Sequence, residues 1–459
     1  MPERYVVIDR QTPMLLPVDL RDWVAENDLA RLILEVVEQC DIRSAWTNER
    51  GSGSAQYPPG MMLSLLIYAY ARGVFSSRRI EQLSYENLSV RYLCANTHPD
   101  HDTIAKFRRQ NGALFKSCFG QVLLLGRELG LVRVGKLAVD GTRLAANANR
   151  HRFSTREQLE QEQARVEALI EQLLQEAEAA DQAEEGQEES EALPAELANE
   201  QKRRQAIKEA LERIKQPEAQ QQAEKEELEK AGRKSQAKEL RMNLTDPDCG
   251  ILHRKGAGTV VGYNAQIGVD IQGAGLIVTN SVSAKGCDAH LLDQVLEQLS
   301  PELGPVKEVI VDCGYESGRT AYELEKNFGI KVYYPPRPKL SDKGSKRWHS
   351  RGQRLVRHMR HLIKKRIDTT HGQWLQRRRQ TVAEGAFGFI KQTLGFQRFS
   401  LRGLEKVQTE WQLVCLAFNL RKVGLTNHKP SPPRRRLAPY CCVPQKIPHP
   451  PRGITPLLR

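Results

Sequence analysis

The sequence predicts an α/β core that is split by a helical insertion and preceded by an all-α N-terminal region. Three observations predict it. Apolar residues recur at helical spacing up to about Arg133, whereas from Lys136 they gather into short strand-like runs. Those runs (KLAVDGT, YNAQIGVD, GLIVTNSVS, KEVIVDCG and IKVYYPP) are interspersed with the helix patterns AHLLDQVLEQL and RTAYELEKN. Between the first run and the rest lies a long stretch, Arg150 to Glu239, dominated by Glu, Gln, Ala, Lys and Arg.

Residues 1–133 form the expected helical region. MMLSLLIYAYARGV is an apolar helix, and RRIEQLSYENLSVRYL a polar–apolar helix behind it. In CANTHPDHDTIAKFRRQN, Asp102 is positioned to cap a helix beginning at Thr103, with Ile104 and Phe107 on its buried side. Lys106, Arg108 and Arg109 then fall on the solvent side, where they suit phosphate contact or the reading head of a helix-turn-helix.

Residues 134–425 hold the α/β domain, interrupted at 150–239. Within the interruption Leu159, Val166 and Leu173 recur at heptad spacing, joined by Ile170, and Ile207, Leu211 and Ile214 make a second stripe. Pro194 and Pro217 punctuate the stripes, so helical hairpins inserted in a loop are expected, with the acidic run QAEEGQEESE as a solvated tip. Beyond Pro335 the chain turns basic, and residues 426–459 form a Pro-rich, Arg-containing tail with no apolar period, expected to be disordered.

The 459 residues allow two or three units, and a formal net charge of +13 favours a polyanionic partner, because Lys and Arg that neutralise phosphates release condensed counterions. The nine cysteines show no CxxC pair and no zinc spacing, so they read as reduced thiols. With no apolar run long enough to span a bilayer and no signal-peptide pattern, a soluble, cytoplasmic protein with no membrane partner is expected.

Asp140 and Asp312 carry the chemistry. Each closes a strand-like run and is followed by a turn (VDGT, VDCG), which sets its carboxylate at the strand's C-terminal edge, facing a cleft. Two acids side by side repel unless a positive charge lies between them. A third carboxylate comes from RRRQTVAEGAFGFIKQTLGF, where Val382, Ala386, Phe387 and Ile390 mark a helix face with Glu384 near its start and Lys391 two turns on. Oxygen-only ligands suit Mg²⁺ or Mn²⁺, and two such ions about 3.5–4 Å apart serve an in-line phosphoryl displacement. In a second tier, Asn264 and Gln266 alternate on one strand face, where they either read or position a nucleotide or make structural hydrogen bonds. Asp246 and Tyr263 belong to the same tier, and Asp288 reads as the N-cap of AHLLDQVL.

VDGT at Asp140, VDCGY at Asp312 and AEGAFGFIK at Glu384, followed by GFQRFSLRGLEKV and LAFNLRK, resemble the motifs of DDE transposases of bacterial insertion sequences. The branch resembled is the one named after insertion sequence eleven-eighty-two. YPPGMMLSLLIYAYARGVFSSRRIE and PDHDTIAKFRRQN resemble its N-terminal region, and NLTDPDCG with GYNAQIGVD its central part. The resemblance implies an RNase H-like catalytic core with the two aspartates on adjacent strands and the glutamate on a late helix. It makes Asp140, Asp312 and Glu384 the metal ligands, Arg379 and Lys391 the basic residues bracketing the glutamate, and Tyr315 the aromatic after the second aspartate. A Gly after Glu384, where the pattern has a Pro or similar residue, departs from it.

The expected function is therefore a transposase that cleaves DNA at the ends of an insertion sequence and joins the freed 3′-OH to target DNA, using two Mg²⁺ or Mn²⁺ ions. Double-stranded DNA, as terminal inverted repeats and target, is the expected partner, in a homodimer or larger assembly that is nucleoid-associated. The alternatives are a non-catalytic DNA-binding regulator of transposase descent and a stand-alone nuclease of the same fold; the first would not cleave, and the second would cleave without joining.

Overall fold

A computed structural model of the chain describes residues 19–47, 55–183, 195–230, 240–254, 258–335 and 351–426. The tail with Cys441 and Cys442, most of the acidic run QAEEGQEESE and the basic stretch RPKLSDKGSKRW lie outside the described residues.

Six helices precede the sheet: α1 (Leu29–Gln39), α2 (Pro59–Ala71), α3 (Ser77–Glu86), α4 (Leu88–Leu93), α5 (His101–Gln110) and α6 (Gly112–Glu128). Helix α2 is apolar all round and buried without interruption from Met62 to Ala71, as a helix must be when neighbours surround it. The single helix expected over RRIEQLSYENLSVRYL is two. Asn87 breaks it, because its side chain accepts a hydrogen bond from Val90 N at 3.1 Å and so caps a new helix. The cap of α5 is Asp100, which accepts from Asp102 N at 2.9 Å and Thr103 N at 2.8 Å; Asp102, expected to be the cap, sits exposed in the first turn.

The strands are β1 (Lys136–Ala145), β2 (Phe153–Ser154), β3 (Met242–Asn243), β4 (Gly250–Arg254), β5 (Gly258–Asp270), β6 (Ile277–Ser283), β7 (Glu308–Ile310) and β8 (Lys331–Tyr333). The insertion holds α7 (Arg156–Ala183) and α8 (Ala195–Lys230), after which come α9 (Leu292–Glu297), α10 (Gly318–Phe328), α11 (Arg351–Ile367), α12 (Thr370–Arg379), α13 (Gly385–Gly388) and α14 (Leu404–Thr426).

The main sheet runs β4–β5–β1–β7–β8, with β6 sharing with β4 the far edge of β5. Strand β1 is antiparallel to β5 and parallel to β7, and β7 is parallel to β8. The parallel step from β7 to β8 needs a crossover, which α10 supplies. Every one of the strand-like runs read from the sequence contributes to this sheet; β4 and the β2–β3 pair are additions.

Helices α7 and α8 pack side by side on their own apolar seam of Leu159, Val166, Ile170, Ile207, Ala210 and Ile214, separate from the main core. Pro217, expected to punctuate the stripe, lies inside α8. The hairpin springs from the β2–β3 ladder. By contrast, one continuous core joins the N-terminal helices to the sheet, with α14 packed against α1, α2, α6 and β6. The seven described cysteines form no disulfide, and no described helix is long and apolar enough to cross a membrane.

Candidate active site

Strands β1 and β7 pair in parallel through Leu137↔Val309 and Ala138↔Ile310. That ladder stops two residues short of both acids, but Asp312 lies near enough to Asp140 for its charge to act on the Asp140 carboxyl. Asp312 stands just past β7 as the N-cap residue of a 3₁₀ turn, Cys313–Tyr315. Asp312 thus lies past the carboxyl end of β7, but Asp140 does not close its strand as expected: β1 runs on to Ala145, paired with β5 throughout, and only its parallel pairing with β7 stops before Asp140.

Glu384 arrives from the other direction. Sequence periodicity puts it near a helix start, but the helix begins at Thr370 and runs through α12, a π-helical turn at Gln380–Glu384, α13 and a second π-helical turn at Phe389–Thr393. Val382, Ala383, Ala386, Phe387 and Ile390 bury its inner face. Inserted π turns re-aim side chains and recur at functional sites; here the first ends on Glu384.

Arg379 joins the acids. Its Nη1 lies 3.3 Å from Asp140 Oδ2 and its Nη2 2.9 Å from Glu384 Oε1. The Arg379 side chain is 7% exposed, Asp140 16% and Glu384 53%, so burial increases from Glu384 inward. Burial pushes the Asp140 carboxyl up to about 6; Arg379 and the Gly141 N–H, 2.9 Å from Oδ1, pull it down, and the like charges of Asp312 and Glu384 push it up. Lys391, half-buried two turns beyond Glu384, donates to the Thr142 hydroxyl. Helix and strand therefore bring Arg379 and Lys391 to the middle of β1, at Asp140 and Thr142.

The donor chemistry fits a hard divalent cation: three carboxylates and no sulfur or imidazole. Arg379 is a cation already held between two of them, and its buried Nε has no hydrogen-bond partner. Among the described residues, however, no group of three or more His, Cys, Asp or Glu is gathered closely enough to share an ion as it stands. The guanidinium lies between Asp140 and Glu384.

Three other expected contacts are placed differently. Arg108 does not face solvent: it is 6% exposed, with Nη1 donating to the Phe75 carbonyl at 2.7 Å and to Tyr70 Oη at 3.1 Å. Lys106 and Arg109 are exposed as expected, Lys106 lying over the Trp46 ring. Asn264 and Gln266 are fully buried, which removes them from direct reading of a nucleotide. Strand β5 is covered on both faces, so alternation along it does not separate an open face from a closed one. Gln266 donates to Asn264 Oδ1 at 2.9 Å and to Asp288 Oδ1 at 3.2 Å, and accepts from the Tyr315 hydroxyl.

Asp288 does not cap a helix either; it receives Asn264 Nδ2 at 2.6 Å and faces Arg143 Nη2 at 3.7 Å, while α9 starts later without a side-chain cap. Asp246 is buried beneath Tyr263, whose hydroxyl donates to it at 2.8 Å. Thr142 and Arg143 were not singled out by sequence; the only signal for Thr142 was its place in VDGT.

Comparison with known families finds two matches. Residues 18–110 match the family described as "Transposase domain (DUF772)", and residues 245–420 the family described as "Transposase DDE domain", together more than half of the chain. Asp312 and Glu384 fall within the second match, and Asp140 lies between the two. No curated protein and no solved structure matches the chain.

Proposed function

We propose, for a chain that belongs to the DDE-type transposases and is therefore a DNA transposase, that Asp140, Asp312 and Glu384 form the acidic triad that cleaves insertion-sequence ends and transfers the 3′-OH to target DNA. The observation carrying this reading is the single guanidinium of Arg379 shared by Asp140 and Glu384, with Asp312 near enough for its charge to act on Asp140. Asp140 and Glu384, 244 positions apart, have no structural need to converge on one buried cation, and the repulsion that they and Asp312 add at Asp140 is a cost unless the site has work to do.

The sheet order and strand directions support an RNase H-like core, in which an antiparallel pair on one side of β1 and two parallel strands on the other leave the acids beyond the parallel β1–β7 pairing. The motif order supports the branch named after insertion sequence eleven-eighty-two. Asp140, Asp312 and Glu384 would hold Mg²⁺ or Mn²⁺, two ions in all, once Arg379 yields its place between them. When bound, such a pair activates the attacking oxygen and stabilises the leaving one in an in-line displacement. Arg379, released toward the substrate, and Lys391, steadied by Thr142, neutralise phosphate charge at the scissile position. Lys106 and Arg109 contact the duplex backbone from α5. Holding two element ends calls for a homodimer or larger assembly, and a chromosomal substrate puts the protein in the cytoplasm with the nucleoid.

Incubation of the protein with a duplex bearing an element end and Mg²⁺ tests the proposal. Cleavage and joined products are expected, and D140N, D312N and E384Q should each abolish both while retaining the duplex in a mobility shift. No cleavage by the unaltered protein would favour a regulatory DNA binder; cleavage without joined products would favour a nuclease.

A further inference from the structure

Strand β5 crosses β1 with Gln266 opposite Gly141, the residue after Asp140. The side-chain amide of Gln266 lies directly across that glycine. A Cβ at position 141 would sit 2.1 Å from Gln266 Nε2 and 2.8 Å from its Cδ, closer than any side chain permits. Glycine is required here for the approach of another residue's side chain.

The same amide reaches the turn that follows the other acid. Gln266 Oε1 accepts from the hydroxyl of Tyr315, a 97%-buried residue in the turn that Asp312 begins. Gln266 Nε2 is fixed by Asn264 Oδ1 at 2.9 Å and Asp288 Oδ1 at 3.2 Å, and the 3₁₀ turn of Asp288 packs against the turn carrying Tyr315. Below, the Gln266 carbonyl accepts from Trp411 Nε1 at 3.0 Å. Each polar atom of the residue is thereby held, and its amide spans the two chain segments that present Asp140 and Asp312.

We infer that Gln266 is a positioning residue: through Gly141 and Tyr315 it fixes the spacing of the Asp140 segment of β1 and the Asp312 turn, and so the geometry those carboxylates offer a divalent cation. Strand pairing alone does not do this, because the β1–β7 ladder ends at Ala138↔Ile310, short of both acids. The amide continues the crosslink past the last ladder hydrogen bond. The inference rests on the acidic triad proposed above. Mg²⁺ demands near-ideal octahedral geometry, so a small change in spacing is felt at the ion before it is felt in the fold.

Three substitutions test it in the full chain: Y315F, which removes one hydroxyl and keeps the ring, Q266A, and G141A, which forces the amide aside. N419A, which strips a buried amide bonded to the backbone of Ile277 in β6, serves as the control for general destabilisation. Mn²⁺ affinity is read from the free-ion EPR signal, beside thermal midpoint and duplex affinity. Y315F and Q266A should weaken Mn²⁺ binding about tenfold or more, with duplex affinity unchanged, and G141A should do the same. N419A, matched for its fall in midpoint, should bind Mn²⁺ as the unaltered protein does. Unchanged Mn²⁺ affinity in folded Y315F, or an equal loss in N419A, would overturn the inference. D140N separates the two levels: if it binds Mn²⁺ as well as the unaltered protein, the triad itself is misassigned and the inference falls with it; if D140N loses the ion while Y315F and Q266A keep it, only the positioning role falls.

Discussion

Asp140 is the residue on which fold and chemistry pull against each other. Its carboxyl sits near 6 in the folded chain against an ordinary value of 3.8, chiefly through burial. The folded state therefore binds the proton more tightly than the unfolded state between those values. The stability this contributes is complete below pH 3.8 and is lost as pH rises through 6. In a chelator-containing buffer, the thermal midpoint of the unaltered protein should fall relative to that of D140N across this window, and a midpoint difference that stays flat from pH 4 to 7 would contradict it. Arg379 opposes the rise, so R379A should widen the fall. At this scale the approach of Asp140 and Glu384 to one cation, Arg379, was not legible in the sequence. GT after Asp140 reads as a turn but continues the strand, and Asn264 and Gln266, alternating on a strand, look the same whether their face opens on a cleft or is buried under the turns of Asp288 and Tyr315.

Elements were legible where their period was long and uninterrupted. Helices α2, α7 and α10 and the apolar strands follow directly from spacing. Boundaries set by a single side chain did not follow: the break at Asn87, the cap at Asp100 and the two π turns that frame α13 each depend on one local hydrogen-bond choice among competing ones. The α7–α8 hairpin shows how far an element can be independent. Its apolar seam is separate from the main core, and its side-chain ties to the base include the half-exposed Arg213–Asp248 pair, worth under about 1 kcal/mol. I170D, which puts a charge in that seam, should cost about 3 kcal/mol or more locally. Hydrogen exchange should then show α7 and α8 amides deprotected while β1 and β5 keep their protection. Equal loss of protection in β1 and β5 would mean that the hairpin and the sheet fold as one.

Across the whole molecule the opposite holds for the N-terminal helices. The sequence reading set them apart as a DNA-binding region, yet α2 and α6 pack on α14, and α14 packs on β6, within a single core. A buried polar chain crosses this junction. Arg108 of α5 donates to Tyr70 of α2, the Tyr70 hydroxyl donates to Glu410 of α14 at 3.3 Å, and Glu410 accepts from Ser400 N and Leu401 N at 2.8 and 3.0 Å. Arg108 is the buried cation facing Glu410 through that phenol, and Glu410 is itself wholly buried. R108A removes the buried cation behind that phenol and leaves the Glu410 carboxylate to its hydrogen bonds alone, which costs on the order of 3 kcal/mol. Because the core is continuous, that loss should lower the urea midpoint identically for a probe in the helical region (Trp23) and one at the sheet (Trp411), in one cooperative transition. Two separated transitions, with only the Trp23 signal moved, would show that the helices are an appended domain. R109A, on the exposed side of α5, supplies the contrast: it should leave both midpoints in place and weaken duplex binding, with a shallower dependence on salt as one phosphate contact is lost.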